Sequence, residues 1–454
     1  LNGGWFLGLL LTVFCCPCLA ISSLGIDIMR RAGMIIIDAP ARNSPEITDA
    51  APVLELGSLA TKTDTRINIE VRNLGLQLNS NGQAVLKGVN GTLQSGSVTA
   101  LMGPSGAGKT TFLNTLSGRA TYGKVTGEML INGEERELNS ISPLVGFVPQ
   151  DDVMHRELTV RETLKYYARL RNRKTASHPW GHDQIERRVQ DVIEVLGIGH
   201  IVDSPIGDEA KRGISGGQRK RVNVGMEMVA DPSLLFLDEP TSGLDSTTSY
   251  ELVTALSNLA LKGVNVIAVL HQPSFQLYEQ FHNVLLLGAG GRTVYLGPAK
   301  GALGYFTGAG FDLPQHMNPA DFFMDVIAGK VGRNGLPEFS KDDLFPLWNE
   351  RRGPIEDGCK HSLVSAAPLK AATIAKNGSA LFTSQVFLFA KRAGQQHIRA
   401  VDAAIEDVFL LFFIGIFLGY AYDTGEMSDF PNTSLMFSFG LSLGVGLASL
   451  RVFG

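Results

Sequence analysis

Hydrophobic and polar positions along the chain fall into three textures, and each predicts a different kind of structure. From Gly4 to Leu24 no charged residue appears, and at about 1.5 Å per helical residue such a run reaches roughly 30 Å, the thickness of a bilayer core. The pattern predicts a membrane span, with Arg30 and Arg31 holding its C-terminal side in the cytoplasm. A cleaved signal peptide is the rival reading. The segment has no basic start and its apolar stretch is long for that class.

Residues 38–65 carry Pro40, Pro45 and Pro52 with little apolar periodicity, which reads as a linker. From Ile67 onward short β-rich runs alternate with helical patterns. Strands are predicted at Ile67–Val71, Val98–Met102, Val145–Val148, Leu234–Leu237, Val264–Leu270 and Val284–Leu287, and helices at Thr159–Arg171, Gln184–Leu196 and Ser249–Leu261. This is the texture of an α/β domain. After about residue 330 it decays into a Gly/Pro-broken, charged stretch, then recovers at Gln385–Arg399, where Lys391, Arg392 and Arg399 punctuate apolar residues in the manner of a helix lying on a membrane surface. Two uncharged runs follow, Val408–Tyr422 and Leu435–Leu450, separated by Asp423, Glu426 and Asp429. Soluble helices rarely lack polar positions all round, so a membrane hairpin is expected, with its acidic loop outside and both ends in the cytoplasm.

Composition changes this picture little. The 454 residues carry a net charge of −4, so no global cationic field favours nucleic acid. Of the four cysteines, Cys15, Cys16 and Cys18 crowd into the first apolar run and Cys359 stands alone, which is neither a disulfide framework nor a metal-binding spacing. The chain opens on Leu1 and stops at Gly454 within an apolar region, and reads as a fragment whose span count is a lower bound.

The chemistry begins where a predicted strand meets a glycine-rich turn. Gly103-Pro104-Ser105-Gly106-Ala107-Gly108-Lys109-Thr110-Thr111 fits the phosphate-loop pattern, directly after Val98–Met102. Backbone N–H groups from Gly106 to Thr111 are expected to cradle phosphates, Lys109 to meet the β- and γ-phosphates, and Thr110 to ligate Mg²⁺. Leu234-Leu235-Phe236-Leu237-Asp238-Glu239 delivers two acids at the end of a buried strand. Asp238 can then assist the metal, and Glu239 can take a proton from an attacking water.

The stretch Ile214-Ser215-Gly216-Gly217-Gln218 narrows the reading, because with the phosphate loop it resembles the ATP-binding-cassette (ABC) family. That resemblance implies an α/β NTPase fold with a RecA-like core, an antiparallel β subdomain and a helical subdomain. It implies that Gln150 reaches the metal and the nucleophilic water, that His271 contacts the γ-phosphate, and that Asp245 belongs to the loop after the catalytic acids. It also implies head-to-tail pairing, in which Ser215, Gly216, Gly217 and Gln218 close over ATP held by another chain. The basic flanks Lys211-Arg212 and Arg219-Lys220-Arg221 read as a solvated helix start beside this site. One departure from the family stands out: no Phe, Tyr or Trp occurs between Phe14 and Phe112 to stack on adenine, and apolar residues such as Val85 are the candidates to replace it.

The nucleotide domain precedes the membrane region in one chain with a single motif set, which resembles the ABC-G, or White-type, half-transporters. Matches include Gly146–Asp152, Lys211–Arg221, His271-Gln272-Pro273-Ser274 and Asn318-Pro319-Ala320-Asp321-Phe322. The expected organisation is an N-terminal transmembrane helix and flank over 1–31, a linker over 32–66, the nucleotide-binding domain over 67–330, a second linker over 331–384, and over 385–454 a connecting helix with the first two spans of an α-helical membrane domain. The resemblance implies an ATPase using ATP and Mg²⁺, a multi-pass membrane protein with its nucleotide domain in the cytosol, and ATP-driven export of a lipid-like or small hydrophobic metabolite. Its partners would be a second half-transporter, membrane lipid and an unidentified substrate, with no nucleic acid. The alternatives are a soluble ABC ATPase acting on nucleic acid or ribosomes, and a non-transporting scaffold.

Overall fold

In a computed structural model of the chain, which describes residues 66–136, 138–171, 181–208, 212–333, 340–351 and 382–399, the apolar runs in the middle of the sequence become strands of two sheets. The strands are β1 (Ile69–Leu78), β2 (Ala84–Leu93), β3 (Val98–Met102), β4 (Gly123–Ile131), β5 (Glu134–Glu135), β6 (Val145–Val148), β7 (Leu234–Asp238), β8 (Asn265–Val269), β9 (Asn283–Leu287) and β10 (Thr293–Pro298). The large sheet has the order β10-β9-β3-β8-β7-β6. Its strands β6, β7, β8, β3 and β9 run parallel, and β10 closes the edge antiparallel to β9. A second, antiparallel sheet has the order β2-β1-β4-β5.

Strands β3, β7 and β8 are buried at every position, which is why they read as unbroken apolar runs instead of alternating ones. Their side chains still alternate between two cores. Leu101, Phe236, Ile267 and Leu285 face the antiparallel sheet together with Phe112 and Leu116. Ala100, Leu237, Ala268 and Leu286 face the helical layer. A polar residue stitches the two sheets: the Asn265 side chain, wholly buried, donates from Nδ2 to the carbonyls of Ile67 and Leu93, each at 3.0 Å.

The helices are α1 (Lys109–Leu116), α2 (Val160–Arg171), α3 (His182–Val195), α4 (Gly216–Met228), α5 (Ser246–Leu261), α6 (Phe275–Tyr278), α7 (Ala299–Gly308), α8 (Pro319–Ile327), α9 (Leu344–Arg351) and α10 (Phe382–Arg399). Helix α5 begins earlier than its apolar pattern because Asp245 caps it, accepting from the N–H groups of Thr247 and Thr248. Strand β1 runs well past Val71, through a register shift between Val71 and Leu74 where Asn73 adopts a φ of 50°. Strands β2, β4 and β5 complete the antiparallel sheet from Gly-interrupted or largely exposed sequence. Residues 340–351, inside the stretch read as a linker, are helical in part, and Leu344, Phe345 and Trp348 are buried. They cover an aromatic cluster in which Phe306 stacks on Phe323 at 5.0 Å and Trp348 meets Tyr295 edge-on at 5.5 Å.

Helix α10 occupies the predicted stretch Gln385–Arg399 and is described by itself. Among the described residues no helix is long and apolar enough to cross a membrane. The expected N-terminal span, the cysteine cluster, the first linker through residue 65 and the hairpin over 408–450 lie outside the described residues.

Candidate nucleotide-binding site

Five strand ends of the parallel sheet point their C-terminal edges the same way, and a cleft of about 890 Å³ opens there. This is where an α/β sheet places its ligands. The turn leaving β3 supplies Ser105, Gly106, Gly108, Lys109, Thr110 and Thr111 to its wall; the turn leaving β7 supplies Glu239 and residues 241–244; and the turn leaving β8 supplies His271, Gln272, Pro273 and Ser274. Val85 of β2 lines it as well.

Gly108 sits at the N-cap of α1 with φ 88°, a left-handed conformation that a side chain would strain. The helix therefore starts with its free N–H groups facing the cleft, a ready anion site. Lys109 folds back over the loop, donating to the carbonyls of Gly103 at 2.8 Å and Pro104 at 3.2 Å. Burial lowers the pKa of its ammonium, while the nearby carboxylates of Glu239 and Asp238 pull it back up.

Thr110 Oγ1 donates to Asp238 Oδ1 at 3.3 Å. Asp238 is 5% exposed. Burial raises its pKa; the Thr110 bond opposes this, Glu239 reinforces it, and Lys109 and Lys220 oppose it. Hard oxygen donors with few protein ligands suit Mg²⁺, which commonly completes its shell with phosphate oxygens and water. The hydroxyl of Thr110 and the carboxylate of Asp238 fit that requirement. Among the described residues no cluster of three or more His, Cys, Asp or Glu side chains offers a self-sufficient metal cage.

Glu239 has a φ of 47°, unusual for a side-chain-bearing residue, and Gln272 in the neighbouring turn has 48°. Non-glycine residues held there cost about 1–3 kcal/mol and concentrate at functional sites. Gln150 Nε2 donates to Glu239 Oε2 at 3.1 Å, so the glutamine after β6 and the acid after β7 converge. His271 is exposed in the turn after β8, the strand that lies between β3 and β7, and lines the same cleft.

Ser215, Gly216, Gly217 and Gln218 are not among the residues lining the cleft. They form the N-terminus of α4, where a reciprocal capping box links Ser215 and Gln218: the Gln218 N–H donates to Ser215 Oγ at 3.3 Å and Ser215 N–H to Gln218 Oε1 at 2.9 Å. Asp245 likewise serves as a helix cap in this chain, and these hydrogen bonds, foremost those with Thr248, hold its carboxyl below the ordinary pKa. The site residues thus separate into a group that shares one cleft and a group presented elsewhere on the surface.

Arg212 is exposed as the solvated reading expects, but Lys220 is not. Lys220 is 4% exposed; its ammonium donates to the Gln150 carbonyl at 2.7 Å and pairs with Asp152 at 2.9 Å. A buried ammonium needs such partners, and here they tie α4 to the segment carrying Gln150. Asn223, one turn on, donates to Asp152 at 2.6 Å. Further along α4 the carboxylate of Glu227 accepts from Arg171 at 2.9 Å and from the N–H of Phe147 at 3.2 Å. His200 also escaped the sequence reading; its Nε2 lies 3.1 Å from Gln218 Nε2. Nothing in the spacing of these residues signals that they meet, because each contact joins distant segments.

The ABC transporter family profile matches residues 86–242, and the ABC-2 type transporter profile matches residues 271–355. The second stretch includes β9, β10 and α9, so at least this part of the match folds onto the nucleotide-binding sheet and its helical cover. The chain is 48% identical over 65% of its length to the putative white-brown complex homolog protein 30 of Arabidopsis thaliana, covering 27% of that protein. It is 46% identical over 60% of its length to ABC transporter G family member 28 of Arabidopsis thaliana, covering 24% of it. It is 34% identical over 74% of its length to the broad substrate specificity ATP-binding cassette transporter ABCG2 of Rattus norvegicus, covering 54% of that chain. The chain therefore spans about a quarter to a half of the length of these relatives.

Proposed function

The chain belongs to the ABC transporters, in the group whose members are called G family or White-brown complex homologues, and on that premise we propose that it is the ATP-hydrolysing half of a dimeric membrane transporter. The observation that carries this reading is the division of the motif residues. Lys109, Thr110, Glu239 and His271 share one cleft, whereas Ser215–Gln218 are presented away from it. A signature stretch that does not face its own phosphate loop is what a site completed by a second chain requires.

In this account the N–H groups at the start of α1 and the ammonium of Lys109 bind the phosphates, in a cleft whose Val85 wall takes the place of an aromatic base platform. Thr110, Asp238 and Gln150 would hold Mg²⁺, which when bound neutralises charge on the transferring phosphoryl group. Glu239 accepts the proton of the attacking water, and Gln150, already hydrogen-bonded to Glu239, orients that water. His271 contacts the γ-phosphate from the turn after β8. Asp245 stands at the start of α5, at the boundary with the second chain. The nucleotide domain lies in the cytosol, the adjoining chain is embedded in a membrane as a multi-pass domain, and the cargo is a lipid-like or small hydrophobic compound.

Complementation between two defective chains tests the shared site. Chains carrying Lys109→Ala and Ser215→Arg are each inactive as homodimers, yet their mixed dimer contains one site built from an intact Lys109 and an intact Ser215. Recovery of about a quarter to a half of the wild-type ATP hydrolysis on coexpression is expected. No recovery in a mixed dimer shown to form would overturn the shared-site reading.

A further inference from the structure

We propose that Arg221 and Glu251 are a positioning pair that sets the signature stretch against the start of α5, and so aims the half-site this chain lends to its partner. The proposal rests on the shared-site reading. Helices α4 and α5 meet along a seam that begins at their N-termini. At its first turn a Cβ on Gly217 would stand 2.8 Å from Thr248 Cγ2, so the two helices approach closely there and a larger residue would push Thr248 aside. One turn further on, Arg221 Nη2 donates to Glu251 Oε2. The same guanidinium donates from Nη1 to the Leu196 carbonyl at 3.3 Å, at the end of α3.

Consecutive residues therefore fasten α4 on two sides. Lys220 turns to the Gln150 segment, and Arg221 turns to α5 and the Leu196 turn, since successive helical positions point about 100° apart. Both anchors oppose rotation of the N-terminal turns of α4, beside the Asn223 and Glu227 contacts further along the helix. Ser215 lies six residues ahead of Arg221, roughly 9 Å along the axis at about 1.5 Å per residue. Loss of one anchor lets that end swing, and misplacement of a reacting or binding group by about 1 Å costs on the order of a hundredfold in the limiting case.

The Glu251 side chain is 54% exposed but that of Arg221 is only 13% exposed, so placing a carboxylate at position 221 also carries a folding cost. Positioning is separated from stability by which chain of a mixed dimer carries the reversal and by rescue with the swapped pair.

The mixed dimer of Lys109→Ala and Ser215→Arg chains gives a readout that a merely structural role would not move. Its single working site uses the signature stretch of the Lys109→Ala chain. Arg221→Glu placed on that chain is expected to lower kcat about fivefold, and on the Ser215→Arg chain to change it less than about twofold. Adding Glu251→Arg beside Arg221→Glu restores at least half of the loss. Equal loss from either chain, no loss from either, or no restoration by the swapped pair would overturn the proposal. Should the mixed dimer itself prove inactive, the shared-site reading fails, and the pair is then judged in the homodimer, where single reversals must lower kcat and the double reversal must restore it.

Discussion

Replacing Asn265 by alanine removes a side chain that donates from the parallel sheet to two carbonyls at one end of the antiparallel one. Its Nδ2 serves the carbonyls of Ile67 and Leu93, and Ile67, Leu93 and Asn265 are at most 1% exposed. Water has no ready path to those carbonyls. Leaving two buried acceptors unsatisfied costs about 1–3 kcal/mol each. Against this, Asn265 Oδ1 is itself buried without a partner, and its removal returns about 1–3 kcal/mol of the same kind. The net destabilisation is near 2 kcal/mol. Because β2 carries Val85 to the cleft and ends at Leu93, loosening this stitch also displaces the base-side wall while leaving Lys109 and Glu239 on the parallel sheet. Urea unfolding followed by circular dichroism gives the stability change, and steady-state ATP hydrolysis gives the rest: KM for ATP rises several-fold and kcat changes less than twofold. A stability loss below about 0.5 kcal/mol, or a fall in kcat with KM unchanged, would refute the reasoning.

Burial raises the pKa of Asp238 above the ordinary carboxylate range, so the folded chain takes up this proton more readily than the unfolded one, stability rises as pH falls through the window just above that range, and the ionised carboxylate is a cost at neutral pH. Asp238→Asn is therefore expected to raise the nucleotide-free melting temperature at pH 7 while abolishing Mg²⁺-dependent hydrolysis; a lower melting temperature would contradict it. Arg171→Met leaves the carboxylate of Glu227 with only the Phe147 N–H of the two donors that matter here, and since the Glu227 side chain is 11% exposed, chemical denaturation should register a loss of about 2–3 kcal/mol, partly recovered by adding Glu227→Leu. Lys220→Met keeps the aliphatic stem but releases the Gln150 carbonyl and Asp152; kcat should fall about tenfold with nucleotide affinity within twofold, and equal losses in both would argue against a role confined to the Gln150 segment.

The parts of the molecule legible in the sequence are those with local causes. Leu234–Asp238 reads as a buried strand because it is buried on both faces, and the turn from Gly103 to Thr111 declares its conformation through glycine and its chemistry through Lys109 and Thr110. The antiparallel sheet was harder to read because Gly75, Gly88 and Gly91 interrupt β1 and β2, and because β4 is largely exposed, so its pattern carries little apolar alternation. Helix α9 hid in a charged stretch, since only Leu344, Phe345 and Trp348 commit it to the core. Charge alone misled at Lys220, whose burial is set by Asp152 and Gln150 seventy positions away in the chain. The strained backbone of Glu239 is likewise invisible in sequence, being imposed by the turn between β7 and Pro240.

The most direct test of the account is ATP hydrolysis by the membrane-embedded protein carrying Glu239→Gln. Glutamine keeps the size of the side chain and a partner for Gln150 but cannot accept the water's proton. The account predicts a loss of about a hundredfold or more in kcat with ATP binding retained. Hydrolysis at the wild-type rate would contradict it.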